Sequence, residues 1–157
     1  MSRLIGIARR AKSRDPMEVF SKATITLANG MEGDCKGSKF PLRQLTILAI
    51  EDWERALQII NKPTLDWTVR RANLLVEGIK LPRGKGSKLA IGEVVVEVTD
   101  QTSPCQQMEN AQAGLRKALA GDWRGGVTCR VLSGGVIKIG DEVSTLFHAP
   151  EHIIRLP

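Results

Sequence analysis

Apolar and polar positions alternate with a period of two over several short stretches, the pattern of half-buried strands. Residues 3–8 predict a first strand, and Ala23, Ile25 and Leu27, alternating with Thr and Ala, predict another. Leu45 to Ile50 is an unbroken apolar run of the length of a buried strand, and strand character returns at Leu74–Val76 and Cys129–Leu132. Two segments follow helical spacing instead. Trp53, Ala56, Leu57 and Ile60 form one apolar stripe, with Glu51, Asp52 and Glu54 near its positive end and Asn61-Lys62-Pro63 to stop it. Met108, Ala111, Leu115, Ala118 and Leu119 form the second, and predict one helix of about four turns ending at Gly121. Its start is marked by Ser103 as cap, Pro104 at the first helical position and Gln106 three residues after the cap.

Two later stretches resemble each other. Leu89 to Val98 and Val136 to Leu146 each run as a short apolar strand into Gly (Gly92, Gly140), pass an acidic residue and enter a second alternating strand. Each predicts a hairpin or bulge that turns a corner between antiparallel strands. Seven to nine short strands and two helices, without regular strand–helix alternation, give a mainly β chain: an antiparallel, bent or closed barrel-like sheet with a few short helices packed at its ends. At 157 residues the chain is read as a single domain over 1–157.

The segments between the strands carry the polar chemistry. Asn29 to Pro41 is rich in turn-formers and cations and reads as a functional loop. The basic run Arg9, Arg10, Lys12 and Arg14 reads as a solvated loop, and Gly84-Lys85-Gly86 as an ordinary turn. His148 and His152 flank Pro150, which argues against a helical ligand pair, so both read as tail residues.

A hydrophobic content of 42% with 25% charged residues describes a globular chain with no membrane span. The N-terminal apolar run is too short for a secretory signal, and the three cysteines, Cys35, Cys105 and Cys129, form no Cys-x-x-Cys pair. Together these point to the cytoplasm, with free thiols. The formal charge of +6 calls for an anionic partner. Nucleic acid is disfavoured, because no Tyr, three Phe and three Trp leave few platforms for stacking bases. A phosphorylated small molecule needs only two or three converged cations.

Cys105 is the candidate reactive residue. In the first turn of a helix, free backbone amides and the dipole favour thiolate, the form that attacks electrophiles and binds soft metals. The competing reading is a small buried apolar side chain.

Taken in order, several segments resemble the MOSC family, named for the C-terminal domain of molybdenum-cofactor sulfurases. They are Gly33-Asp34, Arg43-Gln44, Arg71-Ala72-Asn73-Leu74, Leu89 to Gly92, Ser103-Pro104-Cys105, Gly125-Gly126, Arg130-Val131-Leu132 and Gly134 to Val143. The resemblance implies a barrel-like fold and a cysteine, Cys105, that ligates molybdenum in a pterin cofactor or transfers sulfur. It places Arg43, Arg71 and Asn73 among the polar residues of the cofactor pocket. Lys36 and the loop at Gly126 are further candidates for the cofactor's phosphate. Where many relatives carry Arg-His after Gly-Asp, this chain has Cys35-Lys36, which leaves one cation and a second thiol.

The implied function is a molybdenum-cofactor protein, either a small oxidoreductase acting on a small-molecule substrate or a sulfur carrier. Its partner would be an electron-donor protein or a cysteine desulfurase, with pyridoxal phosphate confined to that partner. A basic barrel for RNA or another polyanion, and a metal-free redox-sensing thiol protein, are the alternatives.

Overall fold

Alternation along the chain produces eleven strands, and in the computed structural model, which describes residues 2–62 and 64–151, they form two sheets. His152 and the remainder of the tail lie outside the described residues. In chain order the elements are β1 (Arg3–Arg9), β2 (Glu18–Val19), β3 (Lys22–Thr26), β4 (Gly30–Met31), β5 (Leu45–Ala49), α1 (Ile50–Ile59) and β6 (Leu74–Glu77). They continue with β7 (Lys88–Ile91), β8 (Val94–Gln101), α2 (Gln106–Ala111), α3 (Leu115–Ala120), β9 (Val127–Ser133), β10 (Gly135–Lys138) and β11 (Val143–Phe147).

The large sheet runs β11-β7-β8-β9-β5-β6-β1-β2, and β10-β3-β4 form the small one. Every pairing is antiparallel except β5 with β6, joined by the α1 crossover. The large sheet curls until the start of β1 meets the approach to β11, where Arg3 bridges Glu142 and Val143 N–H donates to Ser2 O at 3.0 Å. It is barrel-like without being a closed barrel.

The two glycine-centred repeats behave differently. Gly92, at φ +55°, closes a hairpin between β7 and β8. Around Gly140, at φ +97°, the chain leaves the small sheet at β10 and enters the large one at β11, a corner and not a hairpin.

Apolar side chains collect in two layers. Leu4, Ile25, Ile47, Leu89, Val96, Cys129 and Ile137 pack inside the curled sheets. Leu48, Trp53, Leu57, Leu75, Met108, Leu115 and Leu119 pack the helices onto the outer face. Cys129 is fully buried, and burial pushes its thiol well above the ordinary range, so it remains a neutral core group.

The single helix expected from Ser103 to Gly121 is two helices of six residues each. Gln112 is extended, at φ −158° and ψ 126°, and Gly114 takes φ +87° with its N–H bonded to Glu109 Oε2 at 2.9 Å. A carbon added at Gly114 would meet Ile60 Cγ2 at 3.1 Å, so contact with the end of α1 favours a glycine here. The break re-aims α3, burying Leu115, Ala118 and Leu119 and leaving Ala111 exposed. Ser103 caps nothing. Cys105 itself is the residue before α2, and no side chain caps that end.

Gly126 is fixed by sterics. It has φ +94°, and a Cβ there would lie 2.3 Å from Ile47 O. Gly126→Ala is expected to cost about 3 kcal/mol or more, through combined backbone strain and overpacking, measured by chemical denaturation.

Candidate functional site

Two strand ends and two loops converge beside Cys105. Asn73, the residue before β6, ties three strands at this point. Its Oδ1 accepts from Thr46 N at 3.1 Å and Thr46 Oγ1 at 3.2 Å, and its Nδ2 donates to Ala8 O at 3.2 Å. Gln44, before β5, plays the same part on the other side, donating to Leu27 O at 2.6 Å and accepting from Val131 N at 2.7 Å. These buried amides fix the neighbouring segments, and a cleft opens beside Asn73.

The cleft has two adjoining chambers that share Lys36, Arg43, Thr46 and Arg71. The smaller, about 150 Å³, also takes in Arg10, Asp34, Phe40 and Asn73. The larger, about 250 Å³, takes in Arg70, Thr102, Ser103, Cys105, Gln107 and Gly125. The structure thus brings together Cys105, Lys36, Arg43, Arg71 and Asn73 of the sequence-derived set. Gly126 lines neither chamber; its neighbour Gly125 does. Asn73 reaches the smaller chamber with one amide proton beyond its three internal bonds.

Two arginines that sequence reasoning passed over complete the site. Arg10 belongs to the run expected to face water, and Lys12 and Arg14 do face it, but Arg10 is 5% exposed. The Gly33-Asp34 turn draws it in: Asp34 carboxylate oxygens accept from the backbone N–H of Arg10 and of Lys36, each at 3.3 Å, and Cys35 N donates to Arg10 O at 2.9 Å. Its guanidinium Nη1 is buried without a hydrogen-bond partner. Arg70, 7% exposed, donates from Nε to Gly125 O at 3.2 Å and from Nη2 to Thr102 O at 2.9 Å.

Arg71 sits in the left-handed region at φ +65°, an uncommon conformation for a residue other than glycine, and its Nη1 donates to Gln107 Oε1 at 2.5 Å. This turn aims two adjacent arginines to different depths of one chamber.

The charge in the cleft is net positive: five cations line its two chambers against one carboxylate, Asp34. Among the described residues the ion pairs are Arg3–Glu77, Arg83–Asp122, Lys85–Asp100 and Arg130–Glu97, none of which involves Arg10, Lys36, Arg43, Arg70 or Arg71. Desolvation, with Arg43 adding to it and Cys105 partly offsetting it, lowers Arg70 to about 10. Lys36 is lowered by desolvation and then by Arg10 and Arg43, with Cys35 and Asp34 opposing. Cys105 is exposed, and its side chain opens onto these cations; Cys35 is half-buried. No group of three or more His, Cys, Asp or Glu side chains is placed to hold a metal ion among the described residues. A metal here would therefore bring most of its own ligands.

A lowered lysine is charged less readily in the folded chain than in the unfolded one. The penalty is fully present below its folded pKa and is relieved as pH rises toward 10.5. Lys36 is an exposed residue, so solvent screens much of this penalty, and Lys36→Gln is expected to melt at or slightly above the parent at neutral pH, with any difference shrinking in alkaline buffer, as read by thermal denaturation across pH.

A family model described as MOSC domain matches residues 36–144. No curated protein sequence matches the chain. Among solved structures, the YuaD protein from Bacillus subtilis superposes with a TM-score of 0.74 at 18% identity, covering 91% of this chain and 94% of that one. YiiM from Geobacillus stearothermophilus gives 0.73 at 15% identity, covering 93% and 75%, and YiiM from Escherichia coli gives 0.67 at 17%, covering 95% and 72%. At these identities the likeness shows the fold.

Proposed function

The chain belongs to the MOSC domain family, and from that membership and the chemistry of the cleft we propose that it binds a molybdenum–pterin cofactor, with Cys105 as the protein's ligand to the metal. The observation that carries the reading is the buried, unpartnered guanidinium of Arg10 beside Lys36 and Arg43. Asp34 is the one carboxylate in the smaller chamber, against Arg10, Lys36, Arg43 and Arg71, and it forms no ion pair with them among the described residues, so the surplus positive charge favours an incoming anion. The cofactor's phosphate is such an anion. Arg10 and Arg43 can grip it through paired N–H donors, and Lys36 adds a point charge.

The larger chamber suits the other end. An exposed thiol is a soft ligand, and with no multidentate protein site around it, it complements a metal already held by dithiolene sulfurs. When bound, such a group supplies redox or sulfur-transfer chemistry at the metal. The chain's own residues would do the rest: Cys105 would fill one coordination position, and Arg70 clamps the adjacent backbone at Thr102 and Gly125 beside it. Arg71 and Gln107 form its rim. The partner is then an electron donor or a cysteine desulfurase, and the substrate a small molecule able to reach Cys105.

Convergence of five cations on one cleft favours a small anion over RNA, which is gripped along an extended basic face. Protein from a host that makes the cofactor is expected to carry close to one equivalent each of molybdenum and pterin, by elemental analysis and by fluorescence after oxidation. Cys105→Ser is expected to lose at least about tenfold in molybdenum, as loss of a soft ligand to a bound metal implies. Full metal in that variant would end the ligand role, and a well-folded parent without pterin would end the reading.

A further inference from the structure

Two buried side-chain polar atoms lack a hydrogen-bond partner among the described residues: Arg10 Nη1 and Thr102 Oγ1. They stand on the walls of adjoining chambers, Arg10 in the smaller and Thr102 in the larger. The proposed cofactor phosphate accounts for Arg10. Thr102 is left unexplained by the fold and by any residue so far given a role.

Thr102 is 8% exposed, and its backbone is held on both sides. Its N–H donates to Gly126 O at 2.8 Å, and its carbonyl accepts from the buried Arg70 Nη2 at 2.9 Å. Arg70 also donates to Gly125 O at 3.2 Å, so one guanidinium clamps Thr102 and the neighbouring backbone at Gly125 together. A hydroxyl positioned this firmly and left unpaired is a cost to the apo fold, and it sits three residues before the cysteine that opens onto the same chamber. Four of the chamber's other polar side chains are cations, Lys36, Arg43, Arg70 and Arg71, and none is a carboxylate. This charge favours an anionic occupant, and Thr102 Oγ1, shielded from solvent in the wall, has a proton to donate to one that packs against it.

We propose that Thr102 Oγ1 donates a hydrogen bond to the ligand seated against Cys105, making Thr102 a ligand-positioning residue of the larger chamber. The assignment rests on the cofactor reading of the cleft. It predicts opposite signs for stability and for binding in one variant. Thr102→Val keeps the shape and removes the hydroxyl, so cofactor-free protein is expected to melt at or above the parent temperature, since an unpaired buried hydroxyl has been removed. The same variant made in a cofactor-competent host is expected to release pterin on dialysis about five-fold faster, the effect of one lost hydrogen bond. Thr102→Ser, which retains the hydroxyl, is expected to release it within about two-fold of the parent.

A valine variant that melts clearly below the parent would show that the hydroxyl is satisfied within the fold and overturn the assignment. Parent-like pterin release by the valine variant, or rapid release by the serine variant, would also overturn it while leaving the cofactor reading intact. A parent protein that carries no pterin would overturn both.

Discussion

Two guanidinium groups, Arg10 and Arg70, are buried in the walls of one cleft, and no ion pair among the described residues includes either. Neutral acceptors serve Arg70, while Arg10 keeps an orphaned Nη1. Buried charge of this kind is expensive, and it persists only where the surrounding fold holds it in place. The fold does so by covalent neighbourhood. Arg10 is at the end of β1, pinned by Asp34 and Cys35; Arg70 ends a single 3-10 turn just ahead of β6.

What keeps the cleft open is a second set of buried polar groups that are satisfied. Asn73 bonds across β5, β6 and β1, and Gln44, just before β5, bonds the loop after β3 to β9. The satisfied amide of Asn73 and the unsatisfied Nη1 of Arg10 thus belong to residues lining one chamber. The first set gives a defined geometry, and the second puts surplus positive charge within it. Cys105 adds a thiol at an exposed edge, where it can meet a bound group without further rearrangement.

The strands were legible because each needs only a local alternation of apolar side chains, as Val94, Val96 and Val98 show by facing inward. The helix break at Gly114 was not, since Met108, Leu115, Ala118 and Leu119 keep helical spacing across it and the reason for the break is Ile60, distant in sequence. Arg10 was misplaced for the same reason. Its neighbours Lys12 and Arg14 do face solvent, and only the contact with Asp34 and Cys35 buries it. The Gly33-Asp34 pair was itself a signal: an acidic residue at a tight turn, free of a nearby basic helix position, is available to clamp backbone N–H groups. Arg43, Arg71 and Cys105 were legible as a set through family resemblance, whereas their convergence required the fold.

The most direct test of the account is the response of cofactor-free protein to inorganic phosphate. Measured against chloride at equal ionic strength, phosphate is expected to raise the melting temperature in a saturable manner, and Arg10→Met is expected to abolish most of that rise while not lowering the melting temperature in chloride. Equal phosphate stabilisation of parent and variant would contradict the claim that the buried charge at Arg10 is there to receive an anion.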